Sequence, residues 1–148
     1  MIVKKDKFSF SNKSKEKLRT VHGDLCEICK RALSYGVMDF TIVQGVRSQA
    51  EQDKYYELGT SKVKWPNSKH NVRDEGELAK AVDIAPFVKG KISWKIEHCL
   101  VLAGLVLGAA AELGVNVRWG GNWDMDGEVV TDQSFDDLVH FELSTSSN

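Results

Sequence analysis

Cysteine is scarce in this chain of 148 residues: Cys26, Cys29 and Cys99 make an odd number, too few for a disulfide framework, which suits a reducing compartment. An excess of charge is also missing. Twenty Lys and Arg stand against 21 Asp and Glu, leaving a formal charge of −1 and a pI near 6.4. That balance disfavours a nucleic-acid or membrane-surface binder whose affinity rests on bulk positive charge. No apolar run is long enough to cross a bilayer, since the longest, Cys99 to Ala111, has 13 residues and contains glycine, against the roughly 20 that a spanning helix needs. It is read as a buried core helix. The N-terminus, MIVKKDKFSF, has basic residues without an apolar h-region and is not expected to be a signal peptide. There is no internal repeat and no low-complexity block.

What remains is an ordinary globular mixture, 42% hydrophobic with 12 glycines, at a length that buries a real core in one domain spanning 1–148. Charge is unevenly spread. Residues 1–31 carry nine Lys and Arg and four Asp and Glu, whereas 121–148 carry seven Asp and Glu and neither Lys nor Arg. An acidic, Gly-containing final segment invites a cation more than a polyanion.

Hydrophobic spacing and turn residues lay out the elements. Asp24 with Glu27 reads as a capping box opening an amphipathic helix that stops at Gly36, preceded by a shorter turn from Ser14. Phe40 to Val46 reads as a strand, and Ser48 with Glu51 as a second capping box whose helix ends at Leu58–Gly59. A polar loop follows to His70, then a short strand AVDIA (81–85) closed by Pro86, a turn at Lys89–Gly90, and a long helix capped by Ser93 and ended by Gly114. Val115–Trp119 and Leu138–Leu143 are the last strands. Between them lies a long loop with a possible extension at Val129–Val130, and STSSN (144–148) is a frayed tail. The predicted fold class is α+β: a single domain with a small antiparallel sheet and helices packed on one face.

Ionisable groups inside apolar strands carry the chemical information, because an unpaired buried carboxylate or imidazole costs several kcal/mol. Strand alternation puts Asp83 on one face with Ala81 and Ala85, and His140 on one face with Leu138 and Glu142. If the two strands pair, Asp83 and His140 share a face. With His70 at the end of the preceding loop they make a His–Asp–His zinc set with a fourth position open to water, although a strand histidine is more often a hydrogen-bonded core residue.

Five strings in order, QGVRSQAEQ (44–52), SKH (68–70), AVDIAP (81–86), RWGGNW (118–123) and DDLVHFEL (136–143), resemble the zinc D-alanyl-D-alanine carboxypeptidase and L-alanyl-D-glutamate endopeptidase family, with the nearest look to its small phage endolysins. The resemblance covers about residues 38–143. It implies His70, Asp83 and His140 as ligands of one catalytic Zn²⁺, Asp137 as general base, and Arg47 as the cation that polarises or anchors the substrate. Gln52 matches the family string as structural support. Zinc activates water near neutral pH and polarises a carbonyl, a carboxylate moves the proton, and an arginine fork suits a carboxylate or an oxyanion. The resemblance further implies peptidoglycan stem peptides as substrate, cut at L-Ala–D-Glu in phage-mediated lysis. The enzyme would be a monomer without stable membrane insertion, made in the host cytoplasm and reaching the wall once the membrane is opened. The alternatives are a D,D-carboxypeptidase trimming terminal D-Ala and a non-catalytic, metal-stabilised wall-binding module.

One departure stands out. His70 and Asp83 are separated by twelve residues, NVRDEGELAKAV, where the family pattern has about half as many. Asp74 is therefore a rival ligand, with Asp83 preferred for its strand. Asp124, Asp126 and Asp132 resemble half of a Ca²⁺ loop, but the spacing lacks the EF-hand glycine and terminal glutamate, and D-G is also good turn chemistry. A turn is the preferred reading and a second cation the alternative. Cys26-x-x-Cys29 lies within a helix and has no second pair, so packing is expected; His22 and His98 have no motif around them, and Trp119 and Trp123 either line the cleft or fill it.

Overall fold

The computed structural model describes residues 7–123, 125 and 137–144. The elements run α1 (Asn12–Leu18), α2 (Gly23–Ser34), β1 (Phe40–Gln44), α3 (Gln49–Glu57), β2 (Ala81–Val88), β3 (Lys91–Ile92), α4 (Ile96–Leu113), β4 (Val117–Gly120) and β5 (Asp137–Leu143). The strands pair antiparallel in the order β1-β2-β5-β4, with β3 a short hairpin partner of β2. Val82, Ile84, Trp119 and Phe141 turn to one side of the sheet and join Leu25, Ile28, Leu102 and Val106 of α2 and α4 in a single core. The helix-backed antiparallel sheet is the α+β architecture expected.

Local chemistry explains where each element begins. The Ser48 box forms as expected: the Glu51 amide donates to Ser48 Oγ at 3.2 Å and the Ser48 amide to Glu51 Oε1 at 3.0 Å. The expected Asp24 box does not. The chain enters the helix at Gly23, so His22 is the cap and its Nδ1 accepts from the Asp24 amide at 3.1 Å. Counted from that cap, the third helical position holds Leu25, which cannot reach back, and Glu27 lies near Lys30 instead. Ser93 likewise does not cap α4; the cap position is Lys95, and Ser93 Oγ bonds His98 Nδ1 at 2.6 Å. Pro86 does not end β2, because β5 pairs with that strand only over Ala81–Asp83 and leaves no ladder acceptor for the missing N–H. The hairpin then turns on Lys89 and Gly90, both left-handed at φ 52° and 78°.

Two helices depart from the simple layer. The fully buried side chain of α3 is Gln52, while Tyr55 of the same helix lines a cavity on the sheet's other face. The long helix α4 buries Cys99, Leu102, Ala103, Val106, Ala109 and Ala110 but leaves Ile96, Leu100 and Val101 exposed, so it is a core helix on one side alone. The suggested Val129–Val130 extension, most of the tail, and Asp124, Asp126 and Asp132 of the suggested second cation site lie outside the described residues.

Between Trp119 and Gly120 the β4–β5 register shifts, bringing Gly120 against Asp137. A Cβ at Gly120 would collide with the Asp137 carbonyl group, which is backbone and cannot swing aside. Gly120→Ala is expected to cost about 1–3 kcal/mol and to lower the urea midpoint. Gly104→Ala, in α4 with open space around it, is expected to raise that midpoint through helix propensity, by up to about 1 kcal/mol. Equal midpoints for the two variants would remove the close-approach argument.

Candidate metal centre

The face opposite α2 and α4 carries the ionisable residues, and sheet register brings them together. Asp83 and His140 are direct cross-strand partners on β2 and β5, while Arg118 and Glu142 are partners on β4 and β5. His70 comes from the loop before β2, which is tied down on both sides: the Arg47 amide donates to the His70 carbonyl at 2.8 Å, and the Lys80 amide to the Lys69 carbonyl at 2.8 Å. All three side chains are buried.

Their donor atoms form a small triangle. His70 Nε2 lies 3.1 Å from Asp83 Oδ1 and 3.2 Å from His140 Nδ1, and His140 Nδ1 lies 3.0 Å from Asp83 Oδ1. Ligand atoms held about 2.0–2.1 Å from a tetrahedral zinc are about 3.3 Å apart, so the group fits such an ion with little adjustment. Hydrogen bonds on the far side of each imidazole orient the rings. His70 Nδ1 bonds the Gly45 carbonyl at 2.8 Å, and His140 Nε2 bonds Glu142 Oε1 at 2.8 Å. When each of those nitrogens carries the proton, the other presents its lone pair to the triangle.

Glu142 was placed on the site face by alternation, but its task was not legible in the sequence. It is buried, and its Oε2 meets Arg118 Nη2 at 2.9 Å and Lys69 Nζ at 3.3 Å. Burial works against its ionisation; the His140 hydrogen bond and charge, with Arg118 and Lys69, outweigh burial and bring its carboxyl down to about 2. Burial likewise opposes a charge on His140, yet the bonds to Asp83 and Glu142 push the metal-free imidazole up to about 9. Asp83 is buried too, and His70 and His140 hold it below the usual carboxylate range.

The group opens into a cavity of about 600 Å³ that Arg47, Tyr55, Arg118, Trp123 and Asp137 also line. Burial and the negative charge of Asp83 push the Asp137 carboxyl up, against the pull of His140, His70 and Arg47. Arg47 is held by Gln52: its Nη1 donates to Gln52 Oε1 at 3.0 Å, and Gln52 in turn donates through Nε2 to Ser61 Oγ at 2.9 Å and the Val63 carbonyl at 2.7 Å. The guanidinium lies over the Tyr55 ring at 4.8 Å with Nη2 3.6 Å from Asp83 Oδ2, and its buried Nε has no hydrogen-bond partner among the described residues.

The remaining sequence candidates fall elsewhere. Asp74 is exposed in the loop and stands outside the triangle. Trp119 is core, with Nε1 donating to the Leu138 carbonyl at 2.9 Å, whereas the Trp123 ring lies 5.5 Å from His140. Cys29 is packed within α2, and burial pushes its thiol up to about 12; Cys26 Sγ donates to the Leu18 carbonyl at 3.1 Å. Neither belongs to the metal-capable group, and His22 and His98 serve α2 and Ser93 as described.

A helix-backed antiparallel sheet whose open face gathers a buried His–Asp–His group in a cavity defines a small α+β protein with a centre able to hold a metal. The chain belongs to the phage L-alanyl-D-glutamate peptidase family, whose model matches residues 6–144. It is 37% identical over 123 residues to the L-alanyl-D-glutamate peptidase of Escherichia phage T5, covering 82% of this chain and 85% of that one. Its fold is similar to the L-Ala D-Glu endopeptidase ChiX of Serratia marcescens, with a TM-score of 0.70 at 30% identity over 94% of this chain and 92% of the other.

Proposed function

We propose that this chain is a zinc-dependent endopeptidase that hydrolyses the L-Ala–D-Glu bond of peptidoglycan stem peptides and serves phage-mediated lysis. The observation that carries the reading is the convergence of His70 Nε2, Asp83 Oδ1 and His140 Nδ1 within 3.2 Å of one another, in a cavity shared with Asp137 and Arg47. Structural zinc normally takes four protein ligands, whereas three ligands beside a carboxylate suit catalysis. Zinc held there would make water a nucleophile at neutral pH and polarise the scissile carbonyl.

The chain's own residues complete the reaction. Asp137 takes a proton from the attacking water on a carboxylate oxygen as the new C–O bond forms, then returns it to the amine nitrogen as the C–N bond breaks. Arg47, held by Gln52 and Tyr55, offers its fork to the α-carboxylate that D-Glu keeps free when it is linked onward through its side chain. Glu142, bonded to His140 Nε2, would hold the imidazole in the tautomer that leaves Nδ1 free to bind the metal. Glu142→Ala is therefore expected to weaken zinc binding about 10–100-fold, read by competition with a chromophoric chelator; unchanged affinity would remove that role.

Purified sacculi digested with the zinc-loaded protein, beside a chelated control, test the reaction. New D-Glu amino termini that depend on zinc are the expected products by mass spectrometry. Free D-Ala would select a carboxypeptidase instead, and no product despite stoichiometric zinc would leave a binding module.

A further inference from the structure

The described residues expose twelve large apolar side chains, and six of them fall within 87–101: Phe87, Ile92, Trp94, Ile96, Leu100 and Val101. Of the other six, Val37, Leu78 and Met125 stand apart, as isolated surface hydrophobics normally do, and Tyr56, Leu58 and Val63 lie around the end of α3. The six are linked in space as well as in sequence. Phe87 and Ile92 are cross-strand partners in the β2–β3 hairpin, residues 93–95 lead directly into α4, and Ile96 and Leu100 lie one helical turn apart. Trp94 and Ile96 are 61% and 62% exposed, too far out to be core side chains that happen to show an edge.

Positive charge predominates within this stretch, while Asp39 stands beside Phe87, its carbonyl accepting from the Phe87 amide at 3.0 Å. Lys89, Lys91 and Lys95 are exposed within the same stretch, and Glu97 is its single carboxylate. None of the three lysines takes part in an ion pair with a described residue. The chain as a whole carries −1, so this is a local segregation of charge and not a share of a general excess. Exposed tryptophan and aliphatic side chains interleaved with lysine match a lipid interface, where apolar parts enter the acyl boundary and ammonium groups stay at headgroup level.

We propose that the β2–β3 hairpin and the first turns of α4 dock this protein peripherally on an anionic phospholipid surface. The lysines favour that occupant over a second copy of the chain, because a symmetric pairing of this face would set like charges against each other. None of the six apolar side chains lines the catalytic cavity, and Phe87 stands four residues along β2 from Asp83, about 13 Å away. Docking therefore leaves the cavity free.

Co-sedimentation of the full chain with vesicles of phosphatidylglycerol and phosphatidylethanolamine, compared with phosphatidylcholine vesicles, tests the proposal. Binding is expected to the anionic vesicles, to weaken with added salt, and to fall on the order of 100-fold in Lys89→Glu/Lys91→Glu/Lys95→Glu, since each lysine near such a surface contributes about fivefold. Trp94→Ser/Ile96→Ser is expected to weaken binding by about tenfold or more while hydrolysis of a soluble muropeptide stays at the wild-type rate, which also reports that the variant is folded. Equal binding to both vesicle types, wild-type binding by either variant, or no binding at low salt would overturn the proposal. A dimer seen by sedimentation equilibrium and dissolved by Trp94→Ser/Ile96→Ser, without vesicle binding, would assign the face to a second copy.

Discussion

Asp83→Ala is expected to empty the metal site and to lower turnover by on the order of 10³–10⁵, whereas Asp74→Ala should leave both unchanged. Asp83 supplies the oxygen of the donor triangle, and its removal leaves only His70 Nε2 and His140 Nδ1, 3.2 Å apart, with no carboxylate among the ligand atoms. Asp74 is exposed in the loop between His70 and β2 and stands outside the triangle. Zinc content after gel filtration, measured beside the rate on sacculi, separates the two carboxylates. Retention of zinc by Asp83→Ala together with its loss from Asp74→Ala would reverse the ligand assignment. Asp83 is buried among charges, so Asp83→Asn is the companion variant: it keeps the shape of the side chain while removing the charge, and a circular dichroism spectrum like the wild type separates metal loss from misfolding.

The pairing of Asp83 with His140 was legible because a strand has period two, which puts a polar residue in an apolar strand on a known face. His70 was harder. It sits in a loop, where no periodicity operates, and its position depends on backbone bonds from Arg47 and Lys80 that no local pattern announces. Glu142 shares the face of His140 by the same alternation, yet its function follows from Lys69 and Arg118 closing on it, contacts made by separate segments of the chain. The helix starts and the strand end that differ from the sequence pattern have a common cause. Asp24, Ser93 and Pro86 have the right chemistry for a cap or a stop, but the backbone entry point and the extent of the neighbouring strand decide whether that chemistry is used. The outer face of α4 is not legible in the sequence, because a continuous apolar run has no polar side to mark what stays in water.

Asp137→Asn is the substitution that separates holding the metal from using it. Asp137 lies outside the triangle but lines the same cavity, so zinc content should remain near that of the wild type while turnover falls about 10²–10⁴-fold, the usual contribution of a positioned general base. Asparagine preserves the volume and one acceptor oxygen but cannot take the proton. The position is built into the sheet: the register shift that brings Asp137 opposite Gly120 leaves no room for a Cβ there, so the carboxylate is aimed from a strand end backed by main chain. In the metal-free protein, burial and the nearby Asp83 charge push its carboxyl up, the direction that makes a carboxylate a better proton acceptor. Wild-type turnover in Asp137→Asn would remove the assignment, and loss of zinc together with turnover would make Asp137 part of the metal's support instead. The outcome expected, metal kept and rate lost, is one that a merely structural carboxylate at the mouth of the cavity would not produce.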